Sequence, residues 1–323
     1  MNKIEAVGLG ALNTDHIYRV EHILEDGESL VDEVGVFPGG SAANTLYGLA
    51  RLGIGSGFVG AVGDDNEGAL LVQDFEEVGV DTSRIITKRG VKSGSTLCLS
   101  AVSGERSIYV IPAANNLLTM SDINLPYINQ ARLLHISSFA DDRQFQLLIK
   151  LMDEIAPSVK VSFSPGELYA NRGIKSLVPI ISRTHILFVN QSEIRKLTGK
   201  DFAAGAKICL EHDCRIVVVT LGAAKKLSSN ETATAVCYVR DAGNEFLIEP
   251  VSQIETTVDT TGAGDAFATG FLYGLIKGKE LKVCAMLGDI VAQYSVTQIG
   301  ARQGLPTATQ LAQRYTELYN KRL

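Results

Sequence analysis

A glycine-rich turn followed by an aspartate is the segment of this chain whose residue types best suit chemistry. In VDTTGAGDAFATGFLYGLIKG, residues 258–278, the turn Gly262-Ala263-Gly264 leads directly into an apolar stretch with helical character. Glycines at a helix start let backbone N–H groups converge without an intervening side chain, and the helix dipole adds partial positive charge there. The segment therefore predicts an anion hole, suited to the charge that develops on a transferring phosphoryl group.

Asp265 follows this turn and lies within the first turn of the predicted helix. A carboxylate in that position can accept the proton of an attacking hydroxyl while the neighbouring amides hold the phosphoryl group. An isolated aspartate near a helix start is usually a capping residue and nothing more. Because the string DTTGAGD is long and specific, we expect Asp265 to be the catalytic base of a phosphoryl transfer.

Two kinds of sequence pattern must position these residues. From about residue 130, apolar β-branched runs alternate with helical periodicity, as in HILFVN followed by QSEIRKLTG. This alternation predicts βαβ units and a doubly wound, mostly parallel sheet flanked by helices. Residues 14–37 and 94–111 alternate as hairpins instead, and we expect them to form a small sheet projecting from the main body. No linker or repeat is visible, so a single α/β domain is expected over residues 1–323.

The composition is that of an ordinary globular protein with an acidic net charge. Hydrophobic residues make up 46% of the chain, charged residues 20%, and the net charge is -6, so nucleic acid is not an expected partner. Neither a membrane span nor a signal peptide is indicated, which makes the cytoplasm the expected location. The five cysteines are scattered without a CxxC pair, and they predict neither a disulfide framework nor a zinc site.

Two motifs carry a resemblance to a known family. The string DTTGAGDAF resembles the C-terminal signature of the ribokinase (PfkB) family of carbohydrate and nucleoside kinases. Gly39-Gly40 followed by Asn44 resembles that family's N-terminal signature, at the family's spacing and in the family's order. The resemblance extends over nearly the whole chain. It implies a ribokinase-like α/β fold, with a central mostly parallel sheet flanked by helices and a small β-sheet lid.

The resemblance also implies roles on the acceptor side of the site. Asp265 matches the catalytic base of the family. The anion hole matches Gly262, Ala263 and Gly264 together with the Asp265 amide. The positions that grip substrate hydroxyls are matched by Asp15, Gly39, Gly40 and Asn44. A short carboxylate and a carboxamide at strand ends suit the recognition of vicinal hydroxyls, and ligands bind at the carboxyl ends of parallel strands.

Further positions match the donor side. Asn190 and Glu193, in VNQSE, resemble the family's NxxE motif, which organises Mg²⁺ and the phosphates through water. Thr220 and Gly222, in VVVTLG, resemble a nucleotide-binding turn that follows a strand. Because Mg²⁺ prefers oxygen ligands and keeps several waters, one amide and one carboxylate suffice for such a role.

A cation site is also implied. Asp259 and Thr261, with the IGARQG turn, resemble the loops that hold a monovalent cation such as K⁺ in some members of the family.

The implied reaction is transfer of the γ-phosphoryl group of ATP, with Mg²⁺, to a hydroxymethyl group of a sugar. Two alternatives stay open. One is a nucleoside kinase in which Ser164-Pro165-Gly166 lies near the nucleobase of the substrate, and the other is a non-catalytic member that only binds ligand. The expected partners are a small-molecule substrate, with no nucleic acid and no membrane. We also expect an apolar face of the lid either to close over substrate or to pair with a second lid in a homodimer.

Overall fold

The computed structural model describes residues 3–101, 105–226, 234–250 and 257–323. Its strands form a nine-stranded sheet and a four-stranded sheet. In chain order the strands are β1 (Ala6–Leu9), β2 (Asn13–Val20), β3 (Asp32–Gly39), β4 (Ser56–Gly63), β5 (Asp81–Lys88), β6 (Gly94–Ala101), β7 (Arg106–Ile111), β8 (Leu133–Ser137), β9 (Lys160–Ser164), β10 (Thr184–Asn190), β11 (Ile216–Lys226), β12 (Thr234–Asp241) and β13 (Glu245–Ile248).

The large sheet has the order β13-β12-β11-β10-β9-β8-β1-β4-β5. All neighbouring pairs in the part of the sheet ordered β11-β10-β9-β8-β1-β4-β5 are parallel. β12 and β13 continue the sheet beyond β11 in antiparallel pairing. The predicted mostly parallel sheet is therefore confirmed. The antiparallel extension was not anticipated, and neither was β5, whose half-buried polar side chains lack a clear alternation.

Helices cover both faces of this sheet. In chain order they are α1 (Ser41–Arg51), α2 (Asn66–Glu77), α3 (Leu125–Asn129), α4 (Asp142–Glu154), α5 (Gly166–Ala170), α6 (Ile174–Ile181), α7 (Gln191–Thr198), α8 (Phe202–Glu211), α9 (Ala263–Ile276), α10 (Leu281–Ser295) and α11 (Ala308–Tyr319). One core lies beneath α1, α9 and α10 and contains Leu46, Phe58 and Phe271. The other lies beneath α4, α6 and α7 and contains Leu148 and Phe163.

The small sheet has the order β3-β2-β6-β7. β2 pairs antiparallel with β3, β6 pairs antiparallel with β7, and β2 joins the two hairpins in parallel pairing. The predicted pairing of residues 14–37 with residues 94–111 is thus confirmed. The turn expected at Ser103-Gly104 lies outside the described residues. β7 exposes its apolar side chains, and Ile108, Tyr109 and Ile111 are each more than half accessible.

Two sequence-based exclusions can be compared with this structure. All five cysteines are buried as free thiols. Within the described ranges, no helix combines the length and apolar character that crossing a membrane requires.

Candidate active site

A cavity of about 480 Å³ opens between the large sheet and the small sheet. Its wall combines the first turn of α9, the start of α1, the end of β10 and the inner face of the small sheet. Ligands of parallel α/β sheets bind at the carboxyl ends of the strands. The cavity lies at that edge, which makes it the candidate active site.

The turn before α9 depends on a glycine at position 262. Gly262 has φ 73°, a left-handed conformation in which side chains are strained. A Cβ there would also overlap Ala301, so the turn packs directly against the segment after α10. Gly264, by contrast, has only open space where a Cβ would point. The amides at the start of α9 therefore face the cavity without a side chain in front of them.

Asp265 is held by α1 across the base of the cavity. Ser41 Oγ donates to one carboxylate oxygen at 2.7 Å, and Asn44 Nδ2 donates to the other at 2.9 Å. Burial raises the pKa of Asp265 to about 6, although both hydrogen bonds favour the ionised form and act in the opposite direction. A carboxylate with such a pKa can exchange a proton near neutral pH, which is the property that a general base needs.

Asp15 forms the opposite wall of the cavity, on β2. Thr96 Oγ1 donates to its carboxylate at 2.6 Å, and burial raises the pKa of Asp15. Gly39 lies directly behind this carboxylate, and a Cβ at position 39 would overlap it. Gly40 has φ 100° and brings its Cα against the carbonyl oxygen of Ala11. Both glycines are therefore required by close approach, and they bring Asp15 and α1 together.

Asn190 and Glu193 form a capping box at the start of α7. The Glu193 amide donates to Asn190 Oδ1 and the Asn190 amide donates to Glu193 Oε2, each at 2.8 Å. Burial raises the pKa of Glu193, and the negative charge of Asp265 acts in the same direction. The capping box accounts for the spacing of the NxxE motif. The second carboxylate oxygen of Glu193 stays free of that cap, and a cation would offset the concentration of negative charge here.

Asp259 has surroundings opposite to those of Asp265. Its carboxylate accepts hydrogen bonds from the Thr261 amide and hydroxyl, at 2.9 and 2.7 Å, and from the Gly300 amide at 3.0 Å. Although burial alone would raise it, these hydrogen bonds hold the pKa of Asp259 below its ordinary value. Across the cavity mouth, Arg106 on β7 donates to the hydroxyls of Thr260 and Thr261, at 3.0 and 2.6 Å.

The structure brings most of the residues predicted for the site to the cavity wall. Those that line it are Asp15, Gly40, Asn44, Asn190, Glu193, Thr261, Gly262, Ala263, Gly264 and Asp265. Gly39 lies behind Asp15, and Asp259 is joined to the wall through Thr261. Thr220 and Gly222 do not line the cavity. Thr220 pairs with Asn190 in the parallel ladder, which places it one strand away at the same edge of the sheet.

Several polar residues at the site were missed by the sequence analysis. Ser41 donates to the Asp265 carboxylate, Thr96 donates to the Asp15 carboxylate, and Arg302 is buried behind Asn44. Ser41 lies inside the N-terminal motif, directly after Gly39-Gly40, and this position is the sequence signal for its role. Neighbours in sequence do not identify the other two. Within the described residues, no group of three or more His, Cys, Asp or Glu side chains could by itself hold a metal ion.

Comparison with known proteins adds independent information. The model of the pfkB family of carbohydrate kinases matches residues 1–308. A protein of Archaeoglobus fulgidus named uncharacterized sugar kinase is 36% identical over 259 residues, which is 80% of this chain and 98% of the relative. A nucleoside kinase of Methanocaldococcus jannaschii is 26% identical over 97% of both chains. The crystal structure of a ribokinase from Thermotoga maritima superposes with a TM-score of 0.81 at 23% identity, covering 97% of this chain and 99% of that one.

Proposed function

The chain belongs to the pfkB family of carbohydrate kinases, and we propose that it transfers the γ-phosphoryl group of ATP to a hydroxymethyl group of a sugar. The observation that carries this proposal is the position of Asp265. Its carboxylate lies at the base of the cavity, next to Ser41 and Asn44 of α1 and to the open amides beside Gly264. One group can therefore contact both the acceptor hydroxyl and the phosphoryl group.

In the proposed reaction, Asp265 accepts the proton of the substrate hydroxyl. The hydroxyl oxygen forms a bond to the γ-phosphorus while the bond from that phosphorus to the β–γ bridging oxygen breaks. ADP leaves with the bonding electrons, and the proton stays on the carboxyl group until product release. Asp15 and Asn44 orient the substrate through its other hydroxyls. Because binding already holds the two reactants in position, the entropic part of the barrier to the chemical step is lowered.

The anion hole of the proposed reaction consists of the backbone amides at Gly262, Ala263, Gly264 and Asp265. They lie at the start of a 14-residue helix, whose dipole adds partial positive charge at that end. Charge that develops on the equatorial oxygens of the phosphoryl group is stabilised there. Since Gly264 has open space beside its Cα, the phosphoryl group can approach these amides closely.

ATP and Mg²⁺ are the proposed cofactors on the other side of the cavity. Asn190 and Glu193 would hold Mg²⁺ through water, because both line the cavity and Glu193 retains a carboxylate oxygen outside its cap. Mg²⁺ neutralises phosphate charge when bound. Thr220 and Gly222 are proposed to contact the nucleotide from the adjacent strand end. Asp259 and Thr261 are proposed to contribute to a monovalent cation site for K⁺, since the Asp259 carboxylate stays ionised.

A sugar acceptor is favoured over a nucleoside by the chemistry of the wall. The side chains around the acceptor end are small, polar or aliphatic, and among the described residues no aromatic ring lines the cavity. Nucleobases are usually held by stacking on aromatic side chains. A nucleoside kinase stays the second candidate, because a nucleoside kinase is among the relatives. A non-catalytic role is disfavoured because Asp265, Asn190, Glu193 and the glycine turn are all present.

The test is consumption of ATP with Mg²⁺ across a panel of pentoses, hexoses, sugar phosphates and nucleosides. We expect turnover with a free sugar that disappears in the Asp265→Asn variant. Turnover confined to nucleosides would establish the second candidate. Binding of ATP without turnover on any acceptor would contradict a kinase function and favour a ligand-binding role.

We propose in addition that the chain is one domain with the small sheet as its lid, and that it works in the cytoplasm as a homodimer formed through that lid. The exposed side chains of Tyr109 and Ile111, on the face of β7 opposite to the cavity-lining Ile108, support the dimer. Sedimentation velocity over a range of concentrations tests it. A monomer at every concentration would contradict the dimer.

A further inference from the structure

Arg302 is an arginine with almost no contact with solvent. It lies in the segment between α10 and α11, and only 1% of its side chain is exposed. Each side-chain nitrogen has a partner: Nε donates to Asn44 Oδ1 at 2.9 Å, Nη2 to the Gly39 carbonyl at 3.0 Å, and Nη1 to Asp74 on α2. The guanidinium also lies over two aromatic rings, 5.2 Å from the Tyr47 centroid and 5.0 Å from the Phe75 centroid.

Such an arrangement is costly as a purely structural device. Taking a guanidinium and a carboxylate out of water carries a desolvation penalty that their attraction often fails to offset, and well-packed apolar residues are frequently as stable. Apart from Asp74, the side chain of Arg302 donates hydrogen bonds to two oxygens beside the predicted substrate-binding residues, Asn44 Oδ1 and the Gly39 carbonyl. What the buried charge contributes is therefore best sought in the orientation of those two groups.

The amide of Asn44 has two ends of similar shape and opposite polarity. With a guanidinium on Oδ1, the Nδ2 end must face Asp265, to which it donates at 2.9 Å. The reversed amide would place its oxygen against the carboxylate of Asp265 and its NH₂ group against Arg302, and both contacts would be repulsive. A neutral partner at position 302 would remove half of that preference. Arg302 and Asp265 therefore select the same amide orientation from opposite ends.

We propose that Arg302 is a positioning residue for phosphoryl transfer, which fixes the amide of Asn44 against the carboxylate of Asp265 and the Gly39 carbonyl behind Asp15. It acts through Asn44 and Gly39 without touching the substrate, and the inference rests on the proposed role of Asp265 as the base. The single side chain of Arg302 thereby holds the Asp265 carboxylate and the Gly39-Gly40 turn in one geometry. Asp74 orients the guanidinium from the other side.

The pKa of Asp265 depends on the charged groups around it. Its change in an Arg302 variant therefore distinguishes loss of charge from simple loss of packing. Burial is the main cause that raises the pKa of Asp265, the negative charge of Asp15 acts in the same direction, and the Ser41 hydrogen bond acts against them. The negative charge of Asp265 in turn raises the pKa of Glu193. Two further effects lower the pKa of Asp265, the Asn44 hydrogen bond and the positive charge of Arg302. Removing Arg302 weakens both favourable effects. The base then becomes harder to ionise, so the acidic limb of the pH profile of kcat/KM must move to higher pH.

The experiment compares three variants with the wild type. Arg302→Lys keeps the charge but not the planar fork that reaches two acceptors at once. The double variant Arg302→Gln/Asp74→Asn removes the ion pair without leaving a buried carboxylate unpaired. Arg51→Gln is the control, because Arg51 donates to the Leu305 carbonyl at 2.7 Å on the same segment but does not contact Asn44.

We expect kcat to fall about 10²-fold in both Arg302 variants, as for a small misplacement of reacting groups, with an unchanged KM for Mg-ATP. The acidic limb should move upward in the double variant, and the Arg51 control should resemble the wild type. Wild-type kcat in folded Arg302 variants, an unmoved acidic limb, or an equal loss in the control would overturn the inference. A wild-type protein with no phosphoryl transfer would instead contradict the proposed function itself.

Discussion

Two carboxylates on either side of one glycine turn have opposite environments. Asp265, at the start of α9, receives two side-chain hydrogen bonds from α1, and burial raises its pKa to about 6. Asp259, before the turn, receives two backbone amides and one hydroxyl, which hold its pKa below the ordinary value despite partial burial. The same functional group is therefore prepared for proton exchange at one position and for permanent charge at the other.

The comparison shows which contacts separate a base from a fixed anion. The backbone amides around Asp259 donate hydrogen bonds to its carboxylate and stabilise the ionised form. Asp265 lies among other acidic groups and apolar helix packing, which weaken the ionised form. A proton acceptor needs the environment of Asp265, because a carboxylate with a low pKa would take up the substrate proton poorly. The following predictions test this difference, beginning with the largest effect.

Replacing Asp265 by Asn should abolish most of the turnover and leave the fold intact. Loss of a positioned base lowers kcat by roughly 10²–10⁴-fold. Because the raised pKa of Asp265 means that its ionised form disfavours folding as the pH rises through about 6, the neutral amide should not lower the melting temperature at pH 7. Steady-state kinetics and thermal unfolding measure both. A kcat close to that of the wild type would rule out the assigned base.

Replacing Gly264 by Ala should have the next largest effect on kcat. A Cβ at this position meets nothing within 4 Å, so the variant should fold normally. The added methyl group would displace the phosphoryl group from the amides at the start of α9, and a displacement of this size costs about 10²-fold in kcat. Gly243→Ala is the matched control, because its Cβ is also nearly free, in a turn away from the cavity. Equal activity of the two variants would contradict the anion hole.

Replacing Asp259 by Asn should have the smallest effect on chemistry. The acidic limb of kcat/KM should fall near pH 6 in the wild type, because Asp265 must be ionised, and it should stay there in this variant. Losing charge-assisted hydrogen bonds should lower the stability of the fold by about 1 kcal/mol. A pH profile and a denaturant titration measure these effects. A limb that moves by a full pH unit would show that the two carboxylates are not independent.

The sequence predicted the local features of the site well. The glycine turn before Asp265 and the alternating strands and helices follow from short-range patterns, and the structure contains both. The antiparallel strands β12 and β13 were not predicted. Their segments are joined by Asp241-Ala242-Gly243-Asn244, a hairpin-turn signal that the sequence analysis did not use. In the structure the amides of Gly243 and Asn244 donate to the Asp241 carboxylate.

The site residues that were missed share one property. Thr96 reaches Asp15 across 81 residues of chain, and Arg302 reaches Asn44 across 258. A threonine in a strand and an arginine in a loop have no local pattern that indicates a buried polar partner. Their role depends on which segments the fold brings together.

What the sequence determined by itself was therefore the chemistry available at each strand end and helix start, because left-handed turns, caps and alternation depend on residues a few positions apart. The left-handed Gly262 and the capping box of Asn190 and Glu193 are of this kind. Tertiary structure alone decided which carboxylate has a raised pKa. Burial beneath α1 and the buried charge of Arg302 come from distant parts of the chain, and only packing places them beside Asp265.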